Sequence, residues 1–123
     1  MPVMHEGKHT AEFLVSEANG SRSRDVITLA EGHVIKPGEV LAKLESSGEY
    51  VPLSTAAEPP AGADVARAVS YDHADSTDGV TAAVVVARDA EVRASDLVWP
   101  EGIGSEALGA GLAALAGHHI IAR

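Results

Sequence analysis

The run Val80-Thr81-Ala82-Ala83-Val84-Val85-Val86-Ala87 constrains this chain more than any other stretch. It is continuously apolar apart from one threonine, and far shorter than the about 20 residues that a membrane helix needs. Its β-branched content and its boundaries mark it as a strand, and the lack of polar alternation predicts burial on both faces. Asp78-Gly79 opens it as a turn, because glycine reaches positive φ freely and aspartate bonds its own backbone. After the polar break at Arg88-Asp89 the chain closes on Leu97-Val98-Trp99-Pro100. The proline biases Trp99 away from helical dihedrals and fixes a bend there. A lone tryptophan beside two aliphatic residues is expected to plug a core.

Few other large side chains exist to build that core. Phe13, Tyr50, Tyr71 and Trp99 are the only aromatic residues in 123, so Val, Leu, Ile and Ala must supply the rest. A chain of this length forms one domain that buries about 65% of its unfolded surface. Small side chains bury little area each, so self-association is attractive. Nine basic residues against eighteen acidic ones give a net charge of −9. That balance disfavours nucleic-acid backbones, which need clustered Lys and Arg, and anionic membrane surfaces. The absence of cysteine excludes disulfides, thiolate nucleophiles and Cys-ligated zinc. Neither a signal peptide nor a membrane-length apolar run is present, so a soluble protein is expected.

Along the chain, residues 1–10 are polar and without apolar periodicity. Glu12-Phe13-Leu14-Val15-Ser16 is a short strand candidate, followed by the turn signal Asn19-Gly20. Strands are expected at 26–29, 34–35, 40–44, 50–53 and 65–69, with Pro52 placing its strand at an edge or irregularity. Residues 55–64, with Pro59-Pro60, Gly62 and four alanines, read as a surface loop. Ser105 is the expected N-cap of one helix, and Gly117 its C′ stop. Leu108, Leu112 and Leu115 recur at i, i+4 and i+7 and form a stripe for the core or for a subunit interface. Gly109 and Gly111 each weaken that helix by about 1 kcal/mol against Ala, unless a close approach requires them. Residues 118–121 form a final short strand. The expected class is α+β and mostly β: short strands and hairpins, one carboxy-terminal helix and an extended amino-terminal arm.

Three patterns invite chemical readings. His5-Glu6-Gly7-Lys8-His9 fits the His-Glu-x-x-His spelling of zinc hydrolases, which needs both histidines on one helical face, the glutamate as general base and a third ligand downstream. Gly7 at its centre and the lack of an apolar stripe favour a solvated arm instead. Asp72, His73, Asp75 and Asp78 form an Asp/His cluster in an acidic, turn-rich segment but lack the ligand spacing of a calcium loop, so turn capping is the simpler role. Pro37-Gly38-Glu39-Val40-Leu41-Ala42-Lys43-Leu44 resembles the hairpins of lipoyl-type barrel-sandwich carriers. Yet Lys43 lies within a strand and the tip is Ser46-Ser47-Gly48. No nucleophile elbow, phosphate loop or dinucleotide fingerprint occurs. Neither a catalytic residue, a metal nor a cofactor is expected.

Asp96-Leu97-Val98-Trp99-Pro100-Glu101, placed after a Thr-Asp-Gly turn and a small-aliphatic strand, resembles the head decoration proteins of tailed phages. The amino-terminal segments Glu6-Gly7-Lys8-His9, Glu12-Phe13, Ser16-Glu17-Ala18-Asn19-Gly20 and Ser23-Arg24-Asp25 carry the same likeness, as do the Gly38-to-Leu41 strand and Tyr50-Val51. The resemblance implies a flexible arm over residues 1–25 and a β-rich domain over 26–123. It implies a homotrimer, free in the host cytoplasm before assembly. The trimer would then cap threefold and quasi-threefold sites of the major capsid protein on the outside of the expanded head, against packaged-DNA pressure. Glu12, Phe13, Leu14, Val15 and Ser16 are the expected capsid contact, by strand addition to a partner edge. Asp96 to Pro100 are expected as structural residues, and Leu108, Leu112 and Leu115 as candidate subunit contacts.

Overall fold

Strand β8 (Thr81–Val86) takes up the apolar run and pairs over its whole length with β2 (Arg24–Leu29), antiparallel, from Arg24↔Val86 to Leu29↔Thr81. On its other side β8 pairs with β6 (Ala66–Ser70), which pairs with β4 (Val40–Lys43), which pairs with β5 (Tyr50–Pro52). A single parallel pair, Leu29↔Tyr50, closes β5 onto β2 and completes a five-stranded barrel. The computed structural model describes residues 9–18 and 22–123. Among these residues, β1 (Leu14–Glu17), β9 (Ala90–Val92) and β10 (Ile120–Ala122) form a second sheet, and β3 (Val34–Ile35) pairs with β7 (Ala74–Asp75). One helix, α1 (Ser105–Gly117), precedes β10, and a 3₁₀ turn at Ala94–Asp96 precedes the Trp99 segment. The protein is thus mostly β with one short helix, as its sequence predicts.

Side-chain alternation divides the interior into two cores. Leu29, Ile35, Leu41, Tyr50, Ala68, Ala83, Val85 and Ala87 fill the barrel. Phe13, Val40, Ala42, Leu53, Val69, Val86, Val92, Leu97, Leu115 and Ile120 pack outside its wall, under α1 and the small sheet. The strands with both faces covered are therefore β4, where Val40, Leu41 and Ala42 are all buried, and most of β6. The expected two-faced burial of residues 80–87 holds only at the end of β8. Val85 points into the barrel and Val86 into the outer core, whereas Val80 and Ala82 are exposed. The covering layer reaches only that end of the strand.

Of residues 1–25, expected as a flexible arm, residues 1–8 and 19–21 lie outside the described residues, and residues 9–17 are bonded to the rest of the domain. The Ala11 N–H donates to the Tyr71 carbonyl (3.0 Å), Thr10 Oγ1 to Asp72 (2.7 Å) and the Arg93 N–H to the Phe13 carbonyl (2.7 Å). Phe13 is 0% exposed. Burying one large aromatic side chain contributes on the order of 2–3 kcal/mol, which offsets the ordering of one or two residues. Ion pairing of Arg24 with Glu17, and stacking of Arg24 over the Tyr71 ring at 4.2 Å, tie β1 further to the barrel.

The helix boundaries also differ from expectation. Gly104, with extended dihedrals and no side-chain cap bond, is the N-cap, and Ser105 is already helical. Gly117 is the last helical residue, and the left-handed turn falls on His119 (φ 60°). That conformation lets the His119 carbonyl accept the Ala90 N–H (3.0 Å) and start the parallel β9–β10 pairing at once. The cross-strand bond holds a histidine where glycine is the usual choice.

Candidate functional site

The Asp96-to-Pro100 segment is a latch between the barrel and the helix. Arg93 pairs with Asp96 (3.0 Å), and Leu97 is buried in the outer core. The Val98 N–H donates to the Gly38 carbonyl (2.8 Å), and its carbonyl accepts from Val40 (3.0 Å). Gly38 is required twice over: its φ is +89°, and a Cβ there would lie 2.6 Å from the Asp96 carbonyl oxygen. Trp99 packs against the outer core with part of its surface left open, and its ring lies against Gly111. A Cβ on Gly111 would stand 2.5 Å from the ring, so this glycine buys the close approach of α1, while Gly109 faces open space.

The helix stripe splits in the same way. Leu115 is buried in the protomer's own core, whereas Leu108 and Leu112 are half-buried. Leu115 is therefore a core residue, and only the other two offer surface to a neighbour. More apolar surface lies on the outer face of the β2–β8 ladder, where Val26 is 73% exposed and Val80 and Ala82 are also open. Sequence reading misses this face because the alternation in Arg24-Asp25-Val26-Ile27-Thr28-Leu29 gives no sign of which side is the barrel interior.

Strand β1 stands at the edge of the β1–β9–β10 sheet. Its register skips between Leu14↔Val92 and Ser16↔Glu91, so Val15 sits at a bulge and is 50% exposed. The five residues grouped from sequence have separate placements. Phe13 is enclosed, Leu14 is half-buried against the outer core, and Val15 and Ser16 face solvent. Glu12 accepts the His9 N–H (3.1 Å) in the turn before the strand. Phe13 is thus an internal anchor and is not available as a partner contact.

The other patterns resolve into local structure. Asp72 accepts bonds from Thr10 and from the His73 N–H (2.7 Å), which hold its carboxyl below the usual range; Asp75 is held low by the Thr77 hydroxyl and N–H. Both act as turn caps. Burial pushes the Glu39 carboxyl up. The buried serines are backbone junctions: Ser23 bonds the Asp89 carbonyl and the Ala18 N–H, Ser70 the Asp72 carbonyl, and Ser76 the His33 backbone. None of these three serines bonds a histidine side chain or a carboxylate in those contacts. Lys43 pairs with Tyr50 at the end of β4, within the strand, and its side chain lies beside Gly48 of the hairpin. Of His5-Glu6-Gly7-Lys8-His9, only His9 lies within the described residues. Among those residues no three metal-ligating side chains converge, and no helix is long and apolar enough to cross a membrane.

The sequence matches the family model of the bacteriophage lambda head decoration protein D over residues 3–120. No individual curated protein matches it significantly. The match covers β1, the barrel, the Trp99 latch, α1 and the start of β10, which are the elements that carry the two cores. This chain therefore belongs to the bacteriophage lambda head decoration protein D family, whose members are structural components of the phage capsid.

Proposed function

We propose that this protein binds as a homotrimer to the outer surface of the expanded phage head. There it bridges neighbouring copies of the major capsid protein at threefold and quasi-threefold sites, holds them against the outward pressure of packaged DNA, and performs no catalytic step. Family membership supports the role, and the observation that carries the mechanism is the place of β1 at a sheet edge with Val15 and Ser16 exposed. An edge strand accepts a partner strand through backbone bonds, with exposed side chains setting specificity. Residues 1–8 contribute to this contact. Phe13 sets the position of the edge from within the core. Three such edges on one trimer turn the second and third contacts into intramolecular events, so a weak single contact suffices.

The subunit contact draws on Leu108 and Leu112, or on the outer face of β2 around Val26. Val26 has the most apolar surface left to cover, so Val26→Asp is expected to lower the solution mass from trimer to monomer. Leu108→Asp is the matching probe for the helix, and the variant that dissociates the trimer identifies the contact. Co-sedimentation with expanded heads tests the capsid contact. Removal of residues 1–8 together with Val15→Asp should leave the trimer folded and abolish binding. Undiminished decoration by that variant would remove β1 from the mechanism.

A further inference from the structure

The barrel is closed unevenly. β2 meets β8 in six consecutive pairs but meets β5 only at Leu29↔Tyr50, so on the β5 side residues 25–28 have no partner strand in the barrel. There the strands part into an open slot of about 370 Å³ between β2 and the β4–β5 hairpin, lined by Asp25, Thr28, Lys43, Gly48, Tyr50 and Arg67. Arg67 reaches it through an irregularity in the barrel wall. Leu41 pairs with Ala68 and Ala42 with Ala66, so Arg67 is the extra residue of a bulge on β6. Ala66 packs in the outer core and Ala68 inside the barrel, so side-chain alternation breaks at this position. A bulge of this kind re-aims a side chain at the expense of ladder bonds.

One nitrogen of the Arg67 guanidinium is left unsatisfied by the fold. Arg67 Nη1 is fully buried and has no hydrogen-bond partner among the described residues. A buried N–H donor without a partner is costly, and Arg67 as a whole keeps some exposure, so its planar fork of donors can meet the oxygens of a carboxylate or phosphoryl group. The surrounding charge favours such a ligand although the chain carries −9 overall. Lys43 stands on the same slot. Asp25, the carboxylate on this rim, is already paired with Arg88, while Glu45 lies beside Gly62 in a neighbouring groove that Lys43 and Arg67 also line. The same cationic end of the barrel is felt at His118, whose imidazole is held low by burial and then by Arg67 and Arg88.

We propose that the slot between β2 and the β4–β5 hairpin is an oxyanion-binding site in which Arg67 is the principal ligand and Lys43 the second cation. The ligand is a small oxyanion group, either a carboxylate or a phosphoryl group. Backbone N–H groups of residues 25–28 that point away from β8 are available to complete its shell. The site is separate from the β1 edge and does not depend on capsid binding.

Titration of the intact protein with sodium phosphate and, separately, sodium acetate tests the site. Both are run against sodium chloride at matched ionic strength and followed by NMR of the Arg67 side-chain N–H and of Tyr50. A saturable shift with either anion, beyond the chloride control, is expected, together with a rise in the His118 pKa. Response to acetate alone identifies a carboxylate as the ligand, and response to phosphate alone a phosphoryl group. Arg67→Gln should weaken binding about tenfold or more, as expected for loss of a charge-assisted bond. The exposed Lys43→Gln should weaken it less, and it serves as the probe if Arg67→Gln fails to fold. Absence of a saturable response in the wild-type protein to both anions overturns the proposal, as does full binding by a folded Arg67→Gln variant.

Discussion

The barrel interior and the core outside its wall use the same small aliphatic side chains but are assembled in different ways. The barrel is filled by residues from 29 to 87, nearly all on strands that pair with one another. The outer core joins Phe13 from one end of the chain to Leu115 and Ile120 from the other, across the wall formed by Val40, Val69 and Val86. The one phenylalanine of the chain lies in this outer layer, with Tyr71 and Trp99 packed against it. A protein with little aromatic material thus places its largest compact side chain where the chain ends must be fastened. The capsid-facing edge proposed for β1 is a by-product of that fastening.

The largest expected effect tests whether the outer core depends on that anchor. Phe13→Ala should lose about 3–5 kcal/mol in denaturant unfolding, by the usual large-to-small penalty. Val15→Ala, two residues along but exposed, should stay within about 0.5 kcal/mol. Equal effects would mean that β1 is not fastened through its buried face.

Inside the barrel, Leu41→Ala should remove about 2–5 kcal/mol. The two cores then differ in pattern rather than size. Hydrogen exchange should show Phe13→Ala releasing β1, β9 and β10 first, and Leu41→Ala weakening β2, β4, β6 and β8 together. Uniform loss of protection in both variants would merge the two cores into one cooperative unit.

The two helix glycines should respond with opposite signs. Gly111→Ala drives a methyl group into Trp99 and should destabilise by about 1–3 kcal/mol. Gly109→Ala meets no neighbour and should stabilise by roughly 0.5–1 kcal/mol through helix propensity. Thermal unfolding of the pair checks both.

The smallest effects are electrostatic. Asp72 has a lowered carboxyl pKa in the folded state, so its stabilisation is present above the unfolded value and is lost as pH falls through the folded one. Glu39 is raised by burial, so its ionisation works against folding as pH rises through its elevated value. Asp72→Asn should therefore lower the thermal midpoint near pH 7 but not at strongly acid pH. Glu39→Gln should raise the midpoint near pH 7 and converge on wild type in acid.

Local sequence signals located most elements because they depend on neighbours in the chain. β-Branched runs mark β2 and β8, a short apolar run between turn signals marks β4, and the three-and-four spacing of leucines marks α1. The Asp96-to-Pro100 motif and the amino-terminal likeness carry the family signal in the sequence itself. The boundaries that failed were set by remote partners. Ser105 is chemically the better cap, yet Gly104 holds that position, and His119 takes a left-handed turn because a carbonyl must meet Ala90.

Composition and periodicity determined that this chain would be a small, acidic, mostly β protein with one helix, since strand and helix preferences are local properties. Which faces are buried was decided only by tertiary structure. Phe13 and Val15 lie on one short strand candidate, but a bulge against β9 and the outer core separate an enclosed anchor from an exposed contact. Arg67 reads as an ordinary polar residue between two alanines until the β4–β6 register leaves it unpaired at the mouth of the barrel. Register and burial arise from pairing between distant segments, and a one-residue shift reverses the direction of every side chain that follows.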